Sequence, residues 1–306
     1  MKEKTYAAID IGSNAARLLI KRTENDSHDG SSGNDVCPKL RKLLLLRVPL
    51  RLGFDVFTRG EVSDKKADNL LRLMKAYRQL LKIYDVDRMR ACATSAMRDA
   101  ANGPELIKLI RKETGIEIEI IPGQEEATIV YNNHIERSGT SAGNFLYVDV
   151  GGGSTELNFI SDGQLVSSRS FNIGTVRILT DKVKPGEWDA MNDYLSQIAS
   201  EYKDIAIIGS GGNINKIYKM ARVKDAAEQS MPVDELAIIY HALEPLSVEQ
   251  RMERYNLRAD RADVIIPAAR IFLNIAALTG ATRIIVPTIG VADGIIDGLL
   301  LKDCAD

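Results

Sequence analysis

A repeat constrains this chain more than any other feature of its sequence. Ala8-Ile9-Asp10-Ile11-Gly12-Ser13 returns as Tyr147-Val148-Asp149-Val150-Gly151-Gly152, with the two aspartates 139 residues apart. Each copy reads as an apolar strand, an aspartate, an apolar residue, a glycine loop and a second strand. Carrying that pattern twice, the chain is expected to fold as two similar halves. Its 306 residues suit about two domains at roughly 100–200 residues each. Helical patterns between the strands make the expected class α/β.

The remaining segments fill this frame. Tyr6–Ile11, Leu18–Arg22, Arg88–Ala93, Ile116–Ile120, Phe145–Val150 and Ile205–Ile208 read as strands, and Leu157–Ile160, Asp162-Gly163 and Leu165–Phe171 as a hairpin. Leu43–Leu46 reads as a buried strand, because Arg41, Lys42 and Arg47 flank it too closely for a membrane span of about 20 residues. A turn is expected at Leu52-Gly53. Ser63 should cap a helix carrying an apolar stripe from Ala67 to Tyr84, and Asn102-Gly103-Pro104 should open another that Gly115 closes. Thr94–Asp99 reads as a polar crossover and Asp26–Asp35 as a polar loop. Helices are expected over Gln124–Glu136, Val176–Lys182, Trp188–Tyr202, Ile214–Met220, Ala262–Leu278 and Ala292–Lys302.

Charge and cysteine usage narrow the function. Forty Lys+Arg against 42 Asp+Glu give a formal charge of −2, which argues against coating nucleic acid or an anionic membrane. Cys37, Cys92 and Cys304 have no CxxC spacing, so neither a disulfide framework nor a structural zinc is expected. The N-terminus has no apolar core of signal-peptide length. A cytoplasmic location is the expectation. His28, His134 and His241 read as loop, packing or surface residues.

The glycine loops suggest a ligand. Consecutive backbone N–H groups can surround an anion where no Cβ blocks the approach. Gly12–Asn14, Gly151–Ser154 and Gly209–Gly212 each follow a strand, and the last precedes a helix whose first amides favour negative charge. Asp10 and Asp149, near the ends of their strands, would repel phosphate oxygens unless a hard cation lay between them. Mg²⁺ (or Mn²⁺) is therefore implied, with Glu156 as a further oxygen ligand. Arg17 and Arg98 are candidates to neutralise phosphate through the guanidinium fork. Glu125 and Glu126 point about 100° apart on a helix, so one of them is expected to face the site, and spacing alone does not say which.

Five segments together carry a resemblance: Asp10-Ile11-Gly12-Ser13-Asn14, Ala93-Thr94-Ser95-Ala96-Met97-Arg98, Gly123-Gln124-Glu125-Glu126-Ala127, Val148–Leu157 (VDVGGGSTEL) and Gly209-Ser210-Gly211-Gly212. In this order they resemble the exopolyphosphatase / guanosine pentaphosphate phosphohydrolase (Ppx/GppA) family, from Ala7 to about Leu300. The resemblance implies two duplicated actin/Hsp70-like (ribonuclease H-like, ASKHA) domains with an interdomain cleft. Residues 1–124 would form the first and 125–291 the second, with a C-terminal helix at about 292–306 returning to the first. It further implies Glu126 as the base that activates water and Asp149 and Glu156 as metal ligands. Gly12, Ser13, Asn14, Arg98, Gly151, Gly152, Gly153, Ser154, Thr155, Gly211 and Gly212 would hold phosphate. The chain looks like the short form, without the HD-type domain of longer members, and the family suggests a homodimer. Two departures touch substrate choice. Ala15 stands where the family has Ser, and Ile296 stands where the terminal motif has Arg.

The function expected from these readings is metal-assisted hydrolysis of the terminal phosphoanhydride of inorganic polyphosphate, with the terminal phosphoryl between the first two glycine loops. Guanosine pentaphosphate is the alternative substrate for the same site. A sugar kinase is disfavoured by the lack of an evident Cys-rich motif or sugar-facing Asp–His pair. A sensor that binds polyphosphate or an alarmone without cleaving it is the rival of another class, and it would have no need of Glu126.

Overall fold

A computed structural model describes residues 3–24, 38–129, 142–287 and 290–305. The chain divides into two compact units, Met1–Pro122 with Val291–Asp306, and Gly123–Gly290. Unit 1 contains β1 (Thr5–Ile11), β2 (Ala16–Thr23), β3 (Leu40–Val48), α1 (Leu52–Arg59), α2 (Asp64–Ile83), β4 (Arg88–Ala93), α3 (Ser95–Asp99), α4 (Gly103–Thr114), β5 (Ile118–Ile120) and, from the end of the chain, α13 (Val291–Ala305). Unit 2 contains α5 (described over residues 123–129), β6 (Asn144–Val150), β7 (Thr155–Ser161), β8 (Gln164–Phe171), α6 (Thr175–Leu179), α7 (Glu187–Glu201), β9 (Ile205–Ser210), α8 (Gly212–Met220), β10 (Ser230–Pro232), α9 (Val233–Leu243), α10 (Val248–Tyr255), α11 (Ala259–Ala262), α12 (Ile265–Thr279) and β11 (Arg283–Ile285).

The two sheets share one plan. Among the described residues their strand orders are β3-β2-β1-β4-β5 and β10-β11-β9-β6-β7-β8. In each, the strand carrying the repeated aspartate pairs antiparallel with the next strand and parallel with a later one. Every residue of β1 is buried, consistent with a central strand covered on both faces, and α13 packs on it. In unit 2, α12 lies in the core beside α7, α8 and α9. The helices follow local rules. Leu70, Met74, Tyr77 and Leu81 form the buried stripe of α2, and Gly115 ends α4 with φ 72°.

Several expectations are corrected. Leu43–Leu46 lies in β3, an edge strand rather than a buried one, and Leu45 is 54% exposed. The expected turn at Leu52-Gly53 is the start of α1, announced only by Arg51 in the left-handed region at φ 55°. Thr94–Asp99 contains the short helix α3. Ser63 does precede α2, but its hydroxyl bonds Asp55 instead of capping the helix. The expected helix at Ala262–Leu278 is α12 from Ile265 onward, and its first residue, Ala262, belongs instead to α11. Ala259–Thr279 is apolar and long enough by composition to cross a bilayer; here it breaks at Asp263 and Val264, and more than half of its apolar 18-residue stretch is buried in unit 2. Cys92 is a free, buried thiol, whereas Cys304 is disulfide-bonded, against the expectation that disulfides play no part. The loop at 26–35, His28, His134 and the expected helix beyond residue 129 fall outside the described residues.

Candidate active site

The best-formed group of expected site residues lies within unit 2. Asp149 and Glu156 are directly opposite each other on β6 and β7. Opposed residues in an antiparallel pair share a face with Cβ atoms about 4.5–5.5 Å apart, so the two carboxylates stand side by side. Asp149 is 8% exposed and Glu156 1%. The Ser170 hydroxyl donates to Glu156 Oε1 at 2.9 Å. A Cβ on Gly211 would come within 3.1 Å of Asp149 Oδ1, and Gly211 holds φ 102°, so only glycine suits that position.

The loop between these carboxylates is tightly braced. Gly151 N donates to Ser154 O at 2.9 Å, closing the turn. The start of α6 holds the loop from behind: Thr175 N donates to Gly151 O at 3.0 Å, Val176 N to Gly152 O at 2.8 Å, and Arg177 Nε to Gly153 O at 2.7 Å. In a planar trans peptide the carbonyl and the following N–H point in opposite directions. The carbonyls of Gly151, Gly152 and Gly153 face α6, so the amides of Gly152, Gly153 and Ser154 face away from it. Gly174 permits this contact, since a Cβ there would lie 2.4 Å from Gly152 O. Thr155 commits its hydroxyl to Ile173 O at 2.6 Å.

The turn bearing Glu126 packs on the same strands. A Cβ on Gly123 would lie 2.3 Å from Ser170 Oγ and 3.7 Å from Glu156 Oε1, which puts the start of α5 against the acidic pair. Glu126, one turn later, shares a face with Gly123. It is buried, whereas Glu125 is half-exposed. The third glycine loop opens α8. The Arg261 guanidinium, absent from the sequence reading, lies across Gly212, and its Nη1 donates to Asn213 Oδ1 at 2.7 Å. Nothing local to α11 marks this arginine, because its partner is 48 residues away.

Unit 1 brings its own expected residues together. Asp10 and Arg17 are opposite on β1 and β2, and Arg17 Nη1 donates to Asp10 Oδ2 at 2.8 Å. The residue expected to hold phosphate and the one expected to hold metal therefore hold each other. Tyr77 lies close by, donating to Ala16 O at 3.3 Å; burial, reinforced by the Asp10 charge, raises its pKa above the usual phenol value. The first glycine loop is braced as in unit 2. Gly12 N donates to Ala15 O at 3.1 Å, Arg51 N to Asn14 O at 2.9 Å, and Gly53 N to Ser13 O at 2.8 Å. Ser13 and Ser95 share a 2.8 Å hydroxyl hydrogen bond that ties α3 to the loop. Arg98, on α3, donates to Ile121 O at 2.9 Å. Ala15 and Ile296 are both buried, Ile296 completely, so each departure is a packing residue here. His241 is exposed and edge-on to Tyr240.

Among the described residues no group of three or more His, Cys, Asp or Glu side chains is gathered as a ready metal cage. The donor chemistry that suits a hard cation is the Asp149–Glu156 pair, two oxygen ligands on adjacent strands.

Two sheets of matching order, each with an Asp–glycine-loop–strand unit, define a duplicated α/β protein. More narrowly, the model of the Ppx/GppA phosphatase family matches residues 35–303, and the chain belongs to that family. It is 28% identical over 170 residues to Exopolyphosphatase 1 of Mycobacterium tuberculosis, covering 56% of this chain and 46% of that protein. It is 24% identical over 312 residues to a guanosine-5'-triphosphate,3'-diphosphate pyrophosphatase of Aeromonas hydrophila, covering 96% of this chain and 59% of the relative. The chain thus spans about half the length of these relatives. The crystal structure of the Aquifex aeolicus Ppx/GppA family member superposes with a TM-score of 0.76 at 25% identity, covering 99% of both chains.

Proposed function

We propose that this chain is an exopolyphosphatase, hydrolysing the terminal phosphoanhydride of inorganic polyphosphate and releasing orthophosphate. The observation that carries the reading is the side-by-side pair Asp149 and Glu156, flanked by outward-facing loop amides and by the helix turn that bears Glu126. Membership of a phosphatase family supports the reaction class.

In this reading the amides of Gly152, Gly153 and Ser154 bind the oxygens of the terminal phosphoryl group. Their placement before the reaction lowers the cost of the charge that builds on those oxygens. Asp149 and Glu156 would hold Mg²⁺ or Mn²⁺; when bound, the cation supplies neutralisation of phosphate charge. Glu126 takes a proton from water, the water oxygen bonds to phosphorus, and the bridging P–O bond breaks in line with it. The shortened chain leaves as a stable anion, so positioning and charge neutralisation provide most of the acceleration. The Gly12–Asn14 loop of unit 1, built the same way, is assigned to phosphate as well.

Phosphate release from long-chain polyphosphate tests the assignment. Glu126→Gln should lower kcat by about 10²–10⁴-fold, and wild-type turnover by this variant would refute the base. Guanosine pentaphosphate is the second reading, favoured by the relative whose match covers 96% of this chain. Comparing kcat/KM on the two substrates decides between them. Saturable binding of either one without phosphate release would instead identify a sensor.

A further inference from the structure

Asn158 is completely buried in the middle of β7. A primary amide is disfavoured in a strand interior and costly to bury unless its polar atoms are satisfied. Here both ends are used. Its Nδ2 donates to Ala127 O at 2.9 Å, and its Oδ1 accepts from Ser168 Oγ at 2.6 Å. The orientation is fixed, because a backbone carbonyl can only accept and the NH2 end must therefore face Ala127.

The partners form a regular pattern. Glu156 and Ser170 are opposed on β7 and β8, and so are Asn158 and Ser168. Alternate residues of a strand share a face, so two serines of β8 address two residues of β7 on one side. Gly123 lies against Ser170 and Glu156, and Ala127 lies against Asn158. From Gly123 to Ala127 a helix rises about 6 Å, and from residue 156 to 158 a strand rises about 6.8 Å. The helix and strand therefore keep step, with Glu126 between the two points of attachment.

We infer that Asn158, fixed by Ser168, is a positioning residue that holds the helical turn bearing Glu126 at its working distance from the acidic pair. The inference rests on the reading of Glu126 as the base. A misplacement of about 1 Å at a reacting group can cost roughly 10²-fold in rate, so one amide that pins this turn has leverage over kcat.

The test uses the full chain with long-chain polyphosphate and Mg²⁺. Asn158→Leu, close in volume but unable to donate, should lower kcat about 10–100-fold while KM stays within about threefold. Ser168→Ala should lower kcat about 3–10-fold by releasing the amide. In a Glu126→Gln background neither change should lower kcat further, because a misplaced base and an absent one are the same loss. Hydrogen exchange over residues 123–129 should accelerate in both variants. Ser167→Ala, whose hydroxyl meets Tyr194 instead, is the control and should keep wild-type kcat.

Wild-type kcat in Ser168→Ala and Asn158→Leu, full additivity with Glu126→Gln, or unchanged exchange would each overturn the inference while leaving the hydrolase reading intact. A folded wild type that releases no phosphate from polyphosphate or guanosine pentaphosphate overturns the hydrolase reading, and with it any catalytic role for this contact. If Asn158→Leu does not fold, Ser168→Ala decides alone.

Discussion

The two units solve the same local problem with opposite charges. In unit 1 the residue across from the repeated aspartate is Arg17, and an ion pair closes at 2.8 Å. In unit 2 the corresponding residue is Glu156, and a second carboxylate stands beside the first. The loops that follow are alike, each closed by an i to i+3 backbone bond and braced by a helix start that follows the third strand of its unit. Unit 1 thus carries a guanidinium beside its aspartate, while unit 2 carries a second carboxyl side chain there. The scaffold is shared, and one change of sign, Arg17 against Glu156, separates the two copies.

The strongest way to break this comparison is Glu156→Gln. Phosphate release should fall by about 10²–10³-fold, the scale seen when one electrostatic stabiliser is removed. The same substitution relieves repulsion within the pair, so unfolding without divalent cation should need more urea, not less. Added Mg²⁺ should raise the melting temperature of the wild type and leave the variant unmoved. A variant that keeps both its activity and its Mg²⁺ response would remove Glu156 from the site.

Next in size is Gly174→Ala. Its Cβ would meet Gly152 O at 2.4 Å and push the loop off α6, and a tenfold or greater rise in KM, on the order of 10–100-fold, is expected in steady-state assays. Arg17→Gln probes the other copy. It leaves Asp10 buried without its guanidinium partner and should cost about 1–3 kcal/mol in urea unfolding, with a smaller effect on kcat than Glu156→Gln has. Equal kinetic losses from the two substitutions would erase the proposed division of labour.

The smallest effect concerns pH and only unit 1. Hydrogen bonding from Lys4, assisted by Tyr6 and the Arg88 charge, lowers the pKa of Asp303 on α13. A depressed carboxyl stabilises the fold above the ordinary aspartate value near 3.9 and loses that contribution as pH falls through its lower native value. Tyr6 is pushed the other way, to about 12, chiefly by burial and then by Asp303. Its contribution is present below the ordinary phenol value near 10 and is lost as pH rises toward its native one. The protection of α13 amides, their exchange relative to the intrinsic rate at each pH, should therefore fall at both extremes, below about pH 4 and above about pH 10. Protection that is flat across that range would show that packing alone holds the helix.

What the sequence disclosed was whatever is written in neighbouring residues. The repeat, the positions of Asp10 and Asp149, the hairpin over Asp162-Gly163 and the glycine end of α4 depend on short-range chemistry, and each was readable. The start of α1 was not, because it rests on Arg51 in a left-handed conformation rather than on a glycine or a cap. The exposure of β3 depends on where a sheet ends, which no run of leucines reveals. Glu156 reads from the sequence as a further oxygen ligand, but its place directly opposite Asp149 is a matter of register. The loop braces were hidden for the same reason. Arg177 reaches Gly153 across 24 residues, and Asn158 reaches Ala127 across 31. Alone in the sequence, each is an ordinary polar residue.

The attachment of α13 has a consequence for assembly. Lys21 of β2, 3% exposed, pairs with Asp293 at 2.7 Å, and Lys4 pairs with Asp303 across 299 residues. The second unit is strung as an insertion inside the first, so a ribosome delivers all of it before the residues that finish its host. Contacts so distant along the chain form slowly, since a long loop must close before they repay the entropy. The inserted half can mature during synthesis, whereas the half translated first waits, with β1 lacking its final cover, until the last turns leave the exit tunnel.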